Sequence, residues 1–123
     1  ITTAPFRTLG QNYGSSHPDH IAAGEAALSS VYPTARDRLT FPELLDEGFE
    51  PHKVREVWVM SREDADHFND ISEEDMETAL KALAAHTSQV PPEAIERVRA
   101  WKSENGKTCN MKYAESFRTF TLR

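Results

Sequence analysis

Cysteine is almost missing from this chain of 123 residues, and long apolar runs and glycine-rich loops are missing too. Because Cys109 is the single cysteine, no internal disulfide can form, which is compatible with a reducing compartment, and we expect a cytoplasmic protein. No apolar stretch approaches the ~20 residues of a transmembrane helix. The five glycines are scattered along the chain, so no glycine-rich phosphate loop is present.

Positive charge is also in short supply. The chain has 14 lysines and arginines against 20 aspartates and glutamates, a net charge of -6 and a pI near 5.3. An acidic chain repels phosphate backbones, so we expect no nucleic-acid partner. Hydrophobic residues make up 38% of the chain, and its length suits one small domain.

Capping residues and apolar periodicity predict four helices. Ser16 caps the first, and Ser72 with Asp75 caps the third. Gly24 costs stability inside the first helix, which predicts that a neighbouring segment comes close there. The first predicted helix follows the Ser16 cap, has Pro18 in its first turn and runs to about Tyr32. The other predicted helices run from Pro42 to Gly48, over residues 72–89, and from Pro91 to Gly106.

The strongest strand signal is the continuous apolar run from Val57 to Met60, which is typical of a strand buried on both faces in a parallel sheet. Residues 1–6 could end another strand, and residues 113–122 could form a terminal strand or a docked tail. Residues 61–71 are predicted to be a polar loop. Alternating strands and helices indicate an α/β fold, with too few strands for a complete doubly wound sheet.

Two histidines and an aspartate cluster where the first helix begins, in the stretch "GSSHPDHIAAGEAAL". A neutral His20 ring could bind a zinc ion (Zn²⁺), and Asp19 could orient a neighbouring imidazole. His17 could stabilise a developing oxyanion or protonate a leaving amine. The alternative is that these residues only cap the helix, and the three residues alone leave both interpretations open.

No other residue completes a metal site by its local motif. A catalytic zinc needs about three protein ligands and an open position. The acidic surroundings of His67 favour a solvated surface, and His52 is expected at the surface. Cys109 has no histidine partner, which indicates an inert thiol.

The same stretch closely resembles the second signature of the LmbE-like or PIG-L family of zinc-dependent de-N-acetylases. The likeness continues in order through "ARDRLTFPELLDEGFEPHKVREVWVM", "DISEEDMETALKALAAHTSQ" and "AESFRTF", and so covers nearly the whole chain. It implies that His20 is a zinc ligand, that His17 is the catalytic histidine and that Asp19 supports it. It also implies an N-acetylated small-molecule substrate, such as a sugar or a thiol conjugate, and assembly into a homo-oligomer.

A further pattern of the resemblance lies at the end of the third helix. His86, Ser88 and Gln89 match a recurring His-x-Ser-Gln segment. We favour a structural role over a catalytic one for these residues, because the C-terminus of a helix is a ready place for a buried polar network.

The departure from the family is large, because its first signature, an Ala-His-Pro-Asp-Asp run, is absent. In the family that run supplies the other zinc histidine, a zinc aspartate and the general base. We therefore expect residues 1–123 to be a single partial domain, the C-terminal portion of a Rossmann-like layered sheet flanked by helices. The upstream half would come from the same gene or from a separate chain.

Two alternatives remain. The chain could be a non-catalytic homologue or half-domain that acts as a binding or structural module, or a generic acidic interaction domain. The half-enzyme hypothesis predicts exposed apolar surface, because the sheet partners would be missing.

Overall fold

The computed structural model describes residues 1–7, 17–60 and 63–123. The chain divides into two compact units: Ile1–Ser61 with Arg118–Arg123, and Arg62–Phe117. In the described residues no helix has the length and apolar character needed to cross a membrane. The helices are α1 (Pro18–Val31), a 3-10 turn (Thr34–Arg36), α2 (Glu43–Asp46), α3 (Glu73–Ala84) and α4 (Pro92–Lys107), and the strands are β1 (Glu56–Met60), β2 (His67–Asp70) and β3 (Ala114–Thr121).

The fold is a mixture of helices and a small three-stranded sheet with the order β1-β3-β2. β2 pairs with β3 in antiparallel orientation, with His67 opposite Phe117 and Asp70 opposite Ala114. β3 starts in the second unit and ends in the first. The terminal strand predicted for residues 113–122 is therefore confirmed.

Two strand predictions were wrong. Residues 67–70 form an edge strand and not a polar loop. Although Asn69 and Asp70 are exposed, pairing with β3 satisfies the backbone hydrogen bonds of this segment. β1 is not buried on both faces: Val57 and Val59 are buried, whereas Met60 is 43% exposed. Its burial alternates with period two, as in a strand with one face in a core.

In the first unit, the N-terminal segment lies against both β1 and α1. The Thr2 backbone N–H donates to the Trp58 carbonyl and the Met60 N–H donates to the Thr2 carbonyl, each at 2.9 Å, which makes a parallel bridge. Gly24 is buried, and a Cβ at this position would lie 2.6 Å from the Thr3 carbonyl oxygen. The predicted close approach at Gly24 is confirmed.

The second unit has its core between α3 and α4. Met76, Leu80 and Tyr113 are buried, with Ile95 and Val98 packed against them. The Ser72 hydroxyl accepts a hydrogen bond from the Asp75 N–H at 3.1 Å and donates to the Asp75 carboxylate at 2.7 Å, which confirms the predicted cap.

We predict that Gly24→Ala destabilises the protein despite the higher helix propensity of alanine. The new Cβ would meet backbone atoms of Thr3, Ala4 and Pro5, which cannot move aside as a side-chain tip can. We expect a loss of about 1–3 kcal/mol in the free energy of unfolding, measured by urea denaturation. Ser29→Ala, on an exposed position of the same helix, is the control, and equal stability of the two variants would contradict the close approach.

A second prediction concerns acid. The Asp37 carboxylate accepts hydrogen bonds from the Leu39 N–H at 2.9 Å and the Thr40 hydroxyl at 2.7 Å, and these lower the pKa of Asp37. The ionised Asp37 carboxylate therefore stabilises the folded protein fully at pH values above the ordinary carboxyl pKa. This stabilisation is lost as the pH falls through the lowered pKa of the folded state.

Between about pH 6 and about pH 2, wild type should lose more unfolding free energy than Asp37→Asn, measured by urea titration at each pH. The exposed Asp46→Asn variant should follow wild type. Parallel curves for wild type and Asp37→Asn would refute the role of this carboxylate.

Candidate active site

The first turn of α1 brings together the three side chains that the sequence singled out. Pro18 is the first helical residue, where its missing N–H costs nothing, so the helix begins directly after His17. The N–H groups of His20 and Ile21 donate to the His17 carbonyl at 3.0 and 3.1 Å. His17, Asp19 and His20 are thus positioned by the start of one helix.

His17 is itself the N-cap of α1. Its Nδ1 accepts a hydrogen bond from the Asp19 backbone N–H at 3.1 Å. Because Nδ1 is the acceptor, the proton of the neutral ring is assigned to Nε2. Nδ1 of His17 therefore caps the helix, as the capping interpretation predicts. Nε2 takes no part in the cap and can interact with another group. Ser16, the predicted cap, lies outside the described residues.

The two imidazoles lie side by side. Their ring centroids are 5.6 Å apart and their planes are inclined by 48°. This follows from the i, i+3 spacing, which places both residues on the same side of the first turn. The Asp19 carboxylate oxygen Oδ2 is 3.9 Å from His17 Nδ1, which is too long for a hydrogen bond but within reach of an ion pair when the ring is protonated.

The site is open to solvent and lies at a positive helix end. The side chains of His17 and Asp19 are 58% and 88% exposed, and His20 is exposed as well. The unsatisfied N–H groups at the start of a helix favour negative charge nearby. The arrangement suits a site that binds an anionic group or stabilises a negative charge during reaction.

Thr3 is a member of this region that the sequence analysis missed. Its hydroxyl donates a hydrogen bond to the backbone carbonyl of His20 at 2.6 Å. The two residues are 17 positions apart, and no local pattern links them. The close approach predicted at Gly24 was the only signal that a segment packs on this turn.

The second histidine segment behaves differently from expectation. His86, Ser88 and Gln89 follow α3 in the second unit, and all three are exposed. The expectation of a buried polar network was therefore wrong. The backbone turns there through bonds from the N–H groups of Gln89 and Val90 to the His86 carbonyl.

The remaining candidates add no metal ligand set. His52 is exposed and its N–H donates to the Ala35 carbonyl, while His67 is half-buried in β2. The half-buried Cys109 thiol lies 3.6 Å from the Asn105 carbonyl and 3.4 Å from the Gly106 carbonyl. Among residues 1–7, 17–60 and 63–123, no group of three His, Cys, Asp or Glu side chains could hold a metal ion.

Comparison with known proteins identifies a relative by fold. No family model and no curated protein matches the chain. The structure is similar to that of N,N'-diacetylchitobiose deacetylase from Pyrococcus horikoshii, complexed with its inhibitor MPG, with a TM-score of 0.77 and 25% sequence identity. The match covers 98% of this chain and 44% of the deacetylase, so the chain spans less than half the length of that enzyme. The fold of this chain is thus similar to a deacetylase fold.

The capping role of His17 is testable. His17→Ala should lower the free energy of unfolding by about 1 kcal/mol, because the Asp19 N–H loses its acceptor. His17→Asn should stay within a few tenths of a kcal/mol of wild type, since asparagine is a good N-cap. Urea denaturation measures both, with the exposed His52→Ala as the control, and equal stability of His17→Ala and His17→Asn would exclude the cap.

Proposed function

We propose that this chain is part of a zinc-dependent hydrolase that removes the acetyl group from an N-acetylated amine. One observation carries the proposal: His17, Asp19 and His20 meet on one helix turn within a fold similar to that of a diacetylchitobiose deacetylase. The sequence resemblance to the LmbE-like or PIG-L family supports the same activity. The substrate class would be an N-acetylglucosamine-type sugar or a thiol conjugate.

His20 fits the role of a zinc ligand. Its imidazole is exposed beside the His17 ring, and a neutral imidazole is a common zinc ligand. The described residues do not contain a full ligand set, so the other ligands would come from sequence outside these 123 residues. In this proposal residues 1–123 are one partial domain, and their strands belong to a larger Rossmann-like layered sheet.

When bound, zinc would polarise the acetamide carbonyl and lower the pKa of a water molecule. The chain itself contributes His17, whose Nδ1 accepts the Asp19 N–H, so that the proton of the neutral ring lies on Nε2. The neutral ring can donate a hydrogen bond from Nε2–H to an oxygen that gains negative charge. Supplying a proton to the departing amine requires the imidazolium form of His17, which returns to neutral imidazole in that step.

Asp19 has a second role in the proposal. If His17 becomes protonated on Nδ1, that nitrogen can no longer accept the Asp19 N–H. The Asp19 carboxylate, 3.9 Å away, is then a charged partner within ion-pair distance of the new N–H. Asp19 would thus stabilise the imidazolium form and hold the ring in place.

Exposed apolar side chains support the partial-domain proposal. Leu39, Phe41 and Phe49 in the first unit are 86%, 55% and 62% exposed. All three lie between residues 39 and 49 of the chain, and large exposed apolar side chains are expected where another part of a protein covers the surface. We also propose a cytoplasmic location, in line with the single cysteine, and a homo-oligomeric assembly, in line with the family resemblance.

The second candidate function is a non-catalytic binding or structural module. The observation that favours it is the incomplete metal-ligand set in the described residues. The presence of all three side chains of the candidate site supports the hydrolase instead, because a purely structural helix start needs only the cap.

The test uses the complete polypeptide or complex that contains this chain. An intact mass spectrum of the native preparation identifies its components. His20→Ala should lose bound zinc, measured by elemental analysis. His17→Asn, which keeps the cap, should retain zinc but lower kcat for deacetylation of N-acetylglucosamine-type substrates by about 10²–10⁴-fold. His52→Ala is the control for both assays.

Three outcomes are decisive. Full activity of His17→Asn would exclude the catalytic role of His17. Stoichiometric zinc in His20→Ala would exclude that ligand. A complex without zinc or deacetylase activity would favour the binding module.

A further inference from the structure

We propose that Thr3 is a positioning residue for the histidine pair, and that it couples β1 to the proposed zinc ligand His20. The role of His20 as a zinc ligand rests on the proposed function, whereas the contacts of Thr3 with α1 do not depend on it. Thr3 itself touches neither ring in any described contact: it acts through the backbone of His20.

The first step is the hydrogen bond of the Thr3 hydroxyl to the His20 carbonyl, at 2.6 Å. In an α-helix this carbonyl is already the acceptor for the N–H four residues later, that of Gly24. The hydroxyl is therefore an additional donor, and helix formation does not require it. The additional hydrogen bond fixes the distance between the N-terminal segment and His20, the proposed zinc ligand.

The second step is that Thr3 contacts α1 at two places, one turn apart. The Thr3 carbonyl oxygen lies next to Gly24, and a Cβ at position 24 would be only 2.6 Å from it. A side chain at position 24 would therefore push the N-terminal segment away from α1. One contact holds the backbone of His20 and the other holds the backbone of Gly24, one turn later. Two such contacts restrict both sliding and rotation of the first turn of α1.

The third step is that Thr3 is itself held firmly. The preceding residue, Thr2, is bonded on both sides to β1 through Trp58 and Met60, and Val57 and Val59 of that strand are buried. A rigid strand thus sets the position of Thr3, and Thr3 sets the position of His20. Because His17 and His20 share the first turn, the relative placement of their rings depends on the same contact.

The test compares Thr3→Val, which removes the hydroxyl at constant shape, with Thr3→Ser, which keeps it. Thr78→Val is the matched control, because the Thr78 hydroxyl makes the same kind of bond, to the Glu74 carbonyl at 2.9 Å in α3. All variants are made in the complete polypeptide or complex. The readouts are zinc affinity by chelator competition, kcat and KM, and the imidazole NMR signals of His17 and His20 in the metal-free protein.

We expect Thr3→Val to weaken zinc binding about 10-fold or more, as for loss of a group that orients a metal ligand. The imidazole signals of His20 should shift, Thr3→Ser should restore both readouts, and Thr78→Val should change neither. If Thr3→Val fails to fold, Thr3→Ala removes the same hydroxyl without a branched side chain and replaces it in every comparison.

Several outcomes would overturn the inference. Unchanged zinc affinity and unchanged imidazole signals in Thr3→Val would show that Thr3 does not position His20, even if His20→Ala loses zinc and the proposed function stands. Equal defects in Thr3→Val and Thr3→Ser would assign the effect to packing instead of the hydrogen bond. If His20→Ala keeps zinc, the proposed function fails, and the imidazole signals alone then decide for or against Thr3.

Discussion

The contact of residues 2–5 with the first turns of α1 is the constraint on which the candidate site depends. The N-terminal segment is bonded to β1 through Thr2 and pressed against Gly24 so closely that no side chain fits there. These contacts lie beneath His17 and His20, whose side chains are exposed, and in our proposal they hold the backbone of the helix start in place. Side chains that are exposed to solvent have few contacts of their own to hold them. At this site the contacts are made by the backbone beneath them.

His17 caps α1 and is also the catalytic histidine of the proposed mechanism. A histidine is an unusual N-cap, because serine, threonine, aspartate and asparagine are preferred. The cap binds Nδ1 to the Asp19 N–H and leaves Nε2 for the proposed chemistry. The cap thereby selects the ring tautomer, a task that a carboxylate or a backbone carbonyl performs in many other histidine sites.

Local signals predicted the existence of the four α-helices well and the sheet poorly. The predicted end of the third helix at residue 89 was wrong, because α3 ends at Ala84. Pro18, the Ser72–Asp75 pair and the glycine with positive φ at Gly48 mark helix ends through contacts within a few residues, so they are readable in sequence. β2 escaped prediction because a four-residue polar strand is stabilised by its partner and carries little pattern of its own. The burial of β1 was overestimated because an apolar run does not show which faces are covered.

The sequence by itself indicated that a helix begins beside Pro18 and that His17, Asp19 and His20 lie at its start, because helix geometry and proline chemistry act over a few residues. It did not identify His17 as the N-cap. It also indicated the close approach at Gly24. Only the tertiary structure decided which segment makes that approach, that the Thr3 hydroxyl holds the His20 carbonyl, and that Nδ1 of His17 is the capping atom. It also decided that His86, Ser88 and Gln89 are exposed. These outcomes depend on which distant backbone atoms come within hydrogen-bonding distance, and a one-dimensional pattern does not contain such distances.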